Sequence, residues 1–271
     1  MSGYGFLRLS GSYFWIPFWV SAHYTGRISG QQGTKQLISS PKIKTYFRRI
    51  LVVLFIVSLP LFCLLTTIKW AFNSPNVYVY GFEKYQISVA TGIDDQELAG
   101  IAETIIEYWN SDSEFLAVSV RQVPLFNERE IIHMKDVKSL VNKVYLTQML
   151  SLSALLILVF LGFFRLKMGF VQPLAYRVFL SSVFGALTIV IVSVALAVGF
   201  PWFFHFFHVI SFTNDFWQLD PTRDYLVILF PFGFWFDVTM LVVLLTLAEI
   251  TILGVSGWFV GKMVKRRSHL S

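Results

Sequence analysis

Long apolar runs, separated by shorter polar segments, dominate the pattern of this chain. Four of these runs reach about the 20 residues that a helix needs to cross a ~30 Å hydrocarbon core. They occupy residues 50–72, 145–164, 178–200 and 236–260. The pattern therefore predicts a mainly α-helical, polytopic membrane protein with four transmembrane helices.

Residues 73–142 form the one soluble-looking segment between the runs and hold 11 of the 16 acidic residues. Within this segment, residues 76–80 and 85–89 carry β-branched and aromatic side chains on either side of Gly81. Such stretches around a glycine turn are typical of short strands. We therefore predict two short strands in this segment.

A helix is predicted directly after these strands. Asp94 followed by Glu97 matches a capping box, and apolar residues then recur with helical spacing over residues 94–108. The segment is too small to bury this apolar face in a core of its own. The sequence therefore predicts a small α/β cap that rests on the outer ends of the transmembrane helices.

The basic residues predict the orientation of the chain in the cell membrane. Residues 1–49, 165–177 and 261–271 hold 14 of the 22 lysines and arginines and no acidic residue. Positive charge beside apolar spans marks cytoplasmic segments, so both termini are expected in the cytoplasm. The cap and an outer loop at residues 201–235 then lie outside. The net charge of +6 therefore indicates contact with a phospholipid bilayer rather than with nucleic acid.

The remaining boundaries follow from composition. Residues 1–43 are expected to be a disordered cytoplasmic extension, residues 44–262 the membrane domain, and residues 263–271 a basic cytoplasmic tail. The only cysteine is Cys63, inside the first apolar run, so an intrachain disulfide is excluded.

Two histidines are the first candidates for chemistry. His133 precedes the second run, just before a helix expected to start at Lys135, and His208 follows the third run. Topology places both at the outer face, where imidazoles can take up and return protons near neutral pH. Asp136 or Asp215 is a candidate for orienting an imidazole through its ring N–H. The alternative is that each histidine only hydrogen-bonds to backbone at the membrane boundary.

Other residues of the outer segments complete the candidate set. Trp217 is a candidate for shaping a lipid pocket, and Asp237 lies near the outer end of the fourth run. His205, His208 and Asp215, with Glu130 as a further ligand, make a metal-dependent hydrolase an alternative. No HExxH motif or cysteine pair supports a metal, so we expect neither metal nor cofactor. A non-enzymatic membrane accessory protein is the third alternative.

Three blocks of sequence carry a resemblance to a known family. They are EIIHMKDVK at residues 130–138, HVISFTNDFWQLDP at 208–221 and LFPFGFWFD at 229–237. Together they resemble the bacterial integral membrane family of lipoprotein intramolecular transacylases, over roughly residues 44–262. The long extension before this region departs from the family pattern.

The resemblance implies a four-helix membrane bundle with a small extracellular cap. It also implies an acyltransferase that moves the sn-2 acyl chain of a diacylated lipoprotein to the α-amino group of its N-terminal cysteine. The family's two essential histidines match His133 and His208. We expect His133 to be the base and His208 to polarise or protonate, although these roles are open to exchange. Asn214 is expected to donate to the oxyanion, with Asp136 and Asp215 as orienting carboxylates.

Overall fold

The structure is a computed structural model that describes residues 4–9, 12–17 and 41–268, with side chains described over 45–267. The chain divides into two compact units, residues 1–52 and 53–271. In the first unit, strands β1 (Tyr4–Leu9) and β2 (Ser12–Pro17) pair antiparallel. Two segments of the extension expected to lack regular structure are therefore strands. The rest of residues 1–40 lies outside the described residues.

The described part of the chain is mainly helical. Its helices, in order, are α1 (Pro41–Phe72), α2 (Pro75–Lys84), α3 (Ile87–Thr91), α4 (Asp95–Asn110), α5 (Glu128–Leu166), α6 (Val171–Ser211), α7 (Tyr225–Leu229) and α8 (Phe232–Ser268). A 3-10 turn at Lys167–Phe170 joins α5 to α6. Strands β3 (Ser119–Val120) and β4 (Val123–Pro124) form a small hairpin between α4 and α5.

Among the described residues, three helical segments are long and apolar enough to cross a membrane, namely Thr45–Phe72, Glu128–Ser211 and Phe232–Arg267. The second segment contains both α5 and α6, and therefore two of the four predicted runs. Many large apolar side chains on these helices are exposed, for example Phe160 and Ile191. Exposed apolar surface of this extent is explained by contact with lipid. The chain is a multi-pass membrane protein.

Close contact between α6 and α8 relies on small residues. A Cβ added to Gly257 would lie 2.8 Å from the backbone oxygen of Ala175 and 3.1 Å from the backbone nitrogen of Phe179. Helices in lipid associate through van der Waals packing, which small residues strengthen by letting backbones approach closely. This contact joins the N-terminal part of α6 to the C-terminal part of α8.

The two strands predicted in the cap are helices, so that prediction was wrong. Residues 76–80 lie in α2, and residues 85–89 lead into and through most of α3. Pro75 occupies the first turn of α2, where its fixed φ favours a helix. The buried residues of α2 are those of one helical face, Val77, Tyr78, Gly81 and Phe82. Burial of this face outweighs the β-propensity of its valine and tyrosine residues.

The amphipathic cap helix is confirmed as α4. Asp94 is its N-cap, and the Asp94 side chain accepts a hydrogen bond from the backbone N–H of Glu97 at 2.8 Å. Its buried face joins a continuous apolar core with α2, α7 and the first turn of α8. This core includes Phe230, which directly follows α7, and Phe234 of α8. In this core, Trp109 Nε1 donates to the hydroxyl of Tyr78 at 3.2 Å. The cap therefore shares its core with the N-terminal end of α8.

Gly81 is a glycine because α2 lies directly against α8. A Cβ at Gly81 would approach Phe234 Cδ2 to 2.4 Å. We expect Gly81→Ala to lower the free energy of unfolding by about 1–3 kcal/mol, because either the ring or the helix must move. The matched control is Gly100→Ala in α4, where nothing lies within 4 Å and alanine is the better helix former. Thermal unfolding in detergent measures both variants, and equal stabilities would contradict this account.

Candidate active site

The start of α5 is defined by a complete capping box. The side chain of Asn127 accepts from the backbone N–H of Glu130 at 3.2 Å, and Glu130 Oε2 accepts from the backbone N–H of Asn127 at 2.8 Å. The helix therefore begins at Glu128, seven residues before the predicted start at Lys135. His133 consequently lies in the second turn of α5, on a rigid backbone, and not in the loop before it.

Glu130 is engaged by backbone groups. Its side chain is 1% exposed, and its Oε1 accepts from the backbone N–H of Leu226 at 2.6 Å. A buried aspartate extends this network, because Asp224 accepts from the Asn127 side chain at 2.9 Å and from the backbone N–H of Asp220 at 2.7 Å. These bonds tie the start of α5 to α7. They occupy Glu130, which the sequence had suggested as a further metal ligand.

The helix that carries His208 continues well beyond the third apolar run. The backbone of α6 is non-helical at Gly199 (φ −121°, ψ 26°), and Pro201 follows. A proline inside a helix removes one backbone donor and disfavours straight continuation. Beyond this break the helix runs on to Ser211 and places the buried His208 in its last turn.

His133 and His208 lie side by side, although they come from different helices. Their ring centroids are 6.2 Å apart with an interplanar angle of 29°. The Phe212 ring contacts both, at 5.1 Å from His133 and 5.6 Å from His208. Both histidines are more than nine-tenths buried. The structure thus brings together the two residues that topology predicted at one face of the membrane.

Hydrogen bonding fixes the tautomer of His208. Its Nδ1 lies 2.6 Å from the backbone oxygen of Phe204. A carbonyl oxygen only accepts, so Nδ1 carries the hydrogen and Nε2 of the neutral ring has a free lone pair. His133 differs, because its Nδ1 is buried and has no hydrogen-bond partner among the described residues.

The predicted orienting carboxylates contact other groups. Asp136 Oδ2 accepts from Asn214 Nδ2 at 2.8 Å. The side chain of Asp215 accepts from Gln218 Nε2 at 3.2 Å, and its backbone oxygen accepts from Arg129. Within the described residues, the bonds that either carboxylate makes lead to these partners and not to an imidazole. Asp136 therefore orients Asn214.

Asp237 lies at the junction of the cap with α8. It accepts from Lys84 Nζ at 2.6 Å and from the Tyr85 hydroxyl at 2.8 Å. The hydrogen bond that Lys84 donates to Asp237 raises the pKa of Lys84. These contacts make Asp237 an anchor of the cap, rather than the partner of the histidines that its position near the end of the fourth run had suggested.

Trp217 packs between two imidazoles. Its ring centroid lies 5.2 Å from that of His208 and 5.4 Å from that of His205, which is itself exposed. No group of three or more His, Cys, Asp or Glu side chains within residues 45–267 is arranged to hold a metal ion. The triad of His205, His208 and Asp215 suggested for a metal is therefore not assembled.

A cavity of about 1060 Å³ opens beside the two histidines. It extends from Trp109 in the cap to Leu64 on α1 and Val243 on α8. Its wall is mainly aliphatic and aromatic, and its polar members include His133, His205, His208, Trp217, Gln218, Asp220, Tyr145 and Thr188. Sequence reasoning missed Tyr145 and Thr188, because they lie inside apolar runs and nothing in the periodicity separates a cavity wall from a lipid-facing side.

Comparison with known proteins places this chain in a family. The family model described as "Lipoprotein intramolecular transacylase Lit" matches residues 53–235. No curated protein matches the chain.

Solved structures of the membrane-integral Lit from Bacillus cereus share the fold. One has a TM-score of 0.68 at 15% sequence identity, and the alignment covers 84% of this chain and 100% of the Bacillus cereus chain. A variant with a histidine-to-arginine substitution has a TM-score of 0.68 at 18% identity, with the same coverage. A histidine-to-alanine variant has a TM-score of 0.67 at 16% identity and covers 85% of this chain and 99% of the other. The family model spans well over half of the length of this chain, so the chain belongs to the lipoprotein intramolecular transacylase (Lit) family, a family of membrane enzymes.

Proposed function

We propose that this enzyme moves the sn-2 acyl chain of a diacylglyceryl lipoprotein to the α-amino group of the lipoprotein's N-terminal cysteine, which gives the lyso form. The single observation that carries the proposal is the pair of buried histidines, 6.2 Å apart, in the wall of a large apolar cavity. The acyl chains supply the apolar part of the substrate, and the ester and amine supply the part that needs proton transfer.

The proposed topology has four transmembrane helices with both termini in the cytoplasm and an extracellular cap. Two points support it. The candidate segment Glu128–Ser211 holds two helices, α5 and α6, which are joined by a four-residue turn at Lys167–Phe170. That turn lies within the basic loop at residues 165–177, which contains no acidic residue, as is typical of a cytoplasmic loop.

The reaction is an exchange of one bond for another within a single substrate molecule. The amine nitrogen bonds to the carbonyl carbon of the sn-2 ester, and the bond from that carbon to the glyceryl oxygen breaks. The amine loses a proton and the glyceryl oxygen gains one, so neither water nor an enzyme nucleophile is consumed. Holding amine and ester together in one site supplies much of the rate enhancement.

The structure favours His208 as the base, which reverses the roles of His133 and His208 that were preferred from the sequence. Its Nδ1–H donates to the backbone oxygen of Phe204, which leaves Nε2 free to take a proton from the amine. His133 is then the partner for the departing glyceryl oxygen. Its unpaired, buried Nδ1 offers a hydrogen bond that a substrate group can complete, which would remove the cost of an unsatisfied polar atom.

Asn214 is the proposed donor to the developing oxyanion. One hydrogen of its Nδ2 is held by Asp136, which leaves the second for a substrate oxygen. An amide oriented in advance stabilises charge without reorganising during the reaction. In this scheme Asp136 acts on the amide and through it on the oxyanion.

The cavity matches the lipid part of the substrate. Its volume of about 1060 Å³ lies just above the ~300–1,000 Å³ range of ligand pockets. The apolar walls would hold acyl chains and limit water near the ester, which favours transfer to the amine over hydrolysis. Trp217, in contact with His208, forms the side of the cavity nearest the reacting groups.

The test is expression in a host that lacks N-acylation of lipoproteins, followed by tandem mass spectrometry of N-terminal lipopeptides. An intramolecular shift moves one acyl chain from glycerol to nitrogen at unchanged total mass. In a mixture of two substrates with differently labelled acyl chains, we expect no exchange of label between them. A product that has lost one acyl chain as free acid would instead indicate a hydrolase, and it would overturn the proposal.

A further inference from the structure

The cavity wall contains a single acidic residue. Among the described residues that line it, Asp220 is the only aspartate or glutamate, and no lysine or arginine lines it. Asp220 lies three positions after Trp217, which contacts His208 at 5.2 Å. The negative charge of the wall therefore sits on the same short loop as the aromatic side chain that packs on the proposed base.

The Asp220 side chain is held by its own loop. Its Oδ1 accepts from the backbone N–H of Thr222 at 2.9 Å and from the Thr222 hydroxyl at 2.7 Å. Its Oδ2 lies 3.7 Å from Arg223 Nε, and the side chains of Arg223 and Asp220 are 69% and 44% exposed. Such exposed ion pairs are weak, so Oδ2 remains available to another cation. The hydrogen bonds from Thr222 lower the pKa of Asp220, which keeps this carboxylate ionised at neutral pH.

We propose that Asp220 binds the α-ammonium group of the substrate's N-terminal cysteine. This inference rests on the proposed function, which requires such an amine in the cavity. An α-amino group has a pKa of about 7.7–8.0 and is largely charged at neutral pH. Bringing that charge to an apolar cavity is unfavourable unless an opposite charge compensates it, and charge-assisted hydrogen bonds to a carboxylate are among the strongest available.

The arrangement has two consequences for the reaction. An ammonium held at Asp220 lies on the loop that carries Trp217, in the same cavity wall as His208. It loses one proton to solvent to become the amine, and the proton that the amine then loses on attack passes to His208 Nε2. After transfer the nitrogen is a neutral amide, which no longer attracts the carboxylate. Asp220 therefore selects the free amine as substrate and favours release of the N-acylated product.

The experiment measures binding of two synthetic lipopeptides to the purified protein in detergent micelles. Both are diether analogues of diacylglyceryl-cysteinyl peptides, which have no ester to transfer. One has a free α-amine and the other an N-acetyl group. We expect the wild type at pH 7 to bind the free amine roughly 2–5-fold more tightly, because the Asp220 side chain is 44% exposed and water weakens an ion pair there. This preference should decrease above pH ~8, where the amine loses its charge.

The decisive variant is Asp220→Asn. Asparagine keeps an oxygen that can accept from Thr222, so the loop is retained while the charge is lost. We expect the preference for the free amine to disappear and the affinity for the N-acetyl analogue to stay unchanged. Glu103→Gln, which removes one exposed charge from α4, is the matched control and should keep the wild-type preference.

Three results would overturn the assignment of Asp220. They are an unchanged preference in Asp220→Asn, an equal loss of affinity for both analogues, and a wild type that binds neither analogue. An equal loss would show that Asp220 only supports the fold of the loop. The proposed function is tested separately with the ester substrate. A wild type that prefers the free amine but transfers no acyl chain would refute the function and leave Asp220 as an ammonium site.

Discussion

Replacing His208 by alanine should reduce formation of the N-acyl lipopeptide by roughly 10²–10⁴-fold, which is the usual contribution of a general acid–base group. The substitution removes the ring nitrogen that takes the proton from the amine. His133→Ala is expected to give a loss of similar size, because it removes the partner of the glyceryl oxygen. Both effects are measured as initial rates of N-acyl product formation from an ester lipopeptide in detergent.

A second variant separates the chemistry of His208 from its structural contact. His208→Asn retains an N–H that can donate to the backbone oxygen of Phe204, which now accepts from Nδ1 at 2.6 Å, but it has no base. We expect it to be as inactive as His208→Ala and to unfold at a temperature closer to the wild type. Added imidazole should restore part of the activity of His208→Ala. A wild-type rate in either His208 variant would refute the two-histidine mechanism.

Glu130→Ala should have the largest effect on stability. The carboxylate is 1% exposed and accepts from two backbone N–H groups, those of Asn127 and Leu226. Its removal leaves both donors unsatisfied in a buried region, which costs about 1–3 kcal/mol each. Activity should fall as well, because the start of α5, one turn before His133, is no longer tied to α7. Chemical or thermal unfolding in detergent measures the first effect and the transfer rate the second.

The control for this prediction lies on the same helix turn. Glu128 is exposed in the first turn of α5, so Glu128→Ala should lose only the modest interaction of a carboxylate with the helix N-terminus, about 0.3–1 kcal/mol. Glu130→Gln keeps one acceptor oxygen and should fall between the two. Equal stabilities of Glu128→Ala and Glu130→Ala would contradict the role assigned to the buried network.

Secondary structure was predictable from the sequence where it depends on residues that are close together in the chain. Asp94 and Glu97 predicted the start of α4 correctly, because a cap depends on side chains three positions apart. Residues 76–80 misled, because their β-branched and aromatic side chains favour a strand until the packing of Gly81 against Phe234 is known. The same limitation applies to Asp237, whose partners Lys84 and Tyr85 lie about 150 positions away.

The sequence by itself determined the membrane class, and it predicts the side of the membrane on which the two histidines meet. Hydrophobic length and the distribution of lysine and arginine are properties of the chain before it folds, and the bilayer selects on them directly. Only the tertiary structure decided what each polar side chain contacts. It assigned Asp136 to Asn214 and Glu130 to Leu226. Such pairings arise when segments far apart in sequence pack together, and no local pattern encodes them.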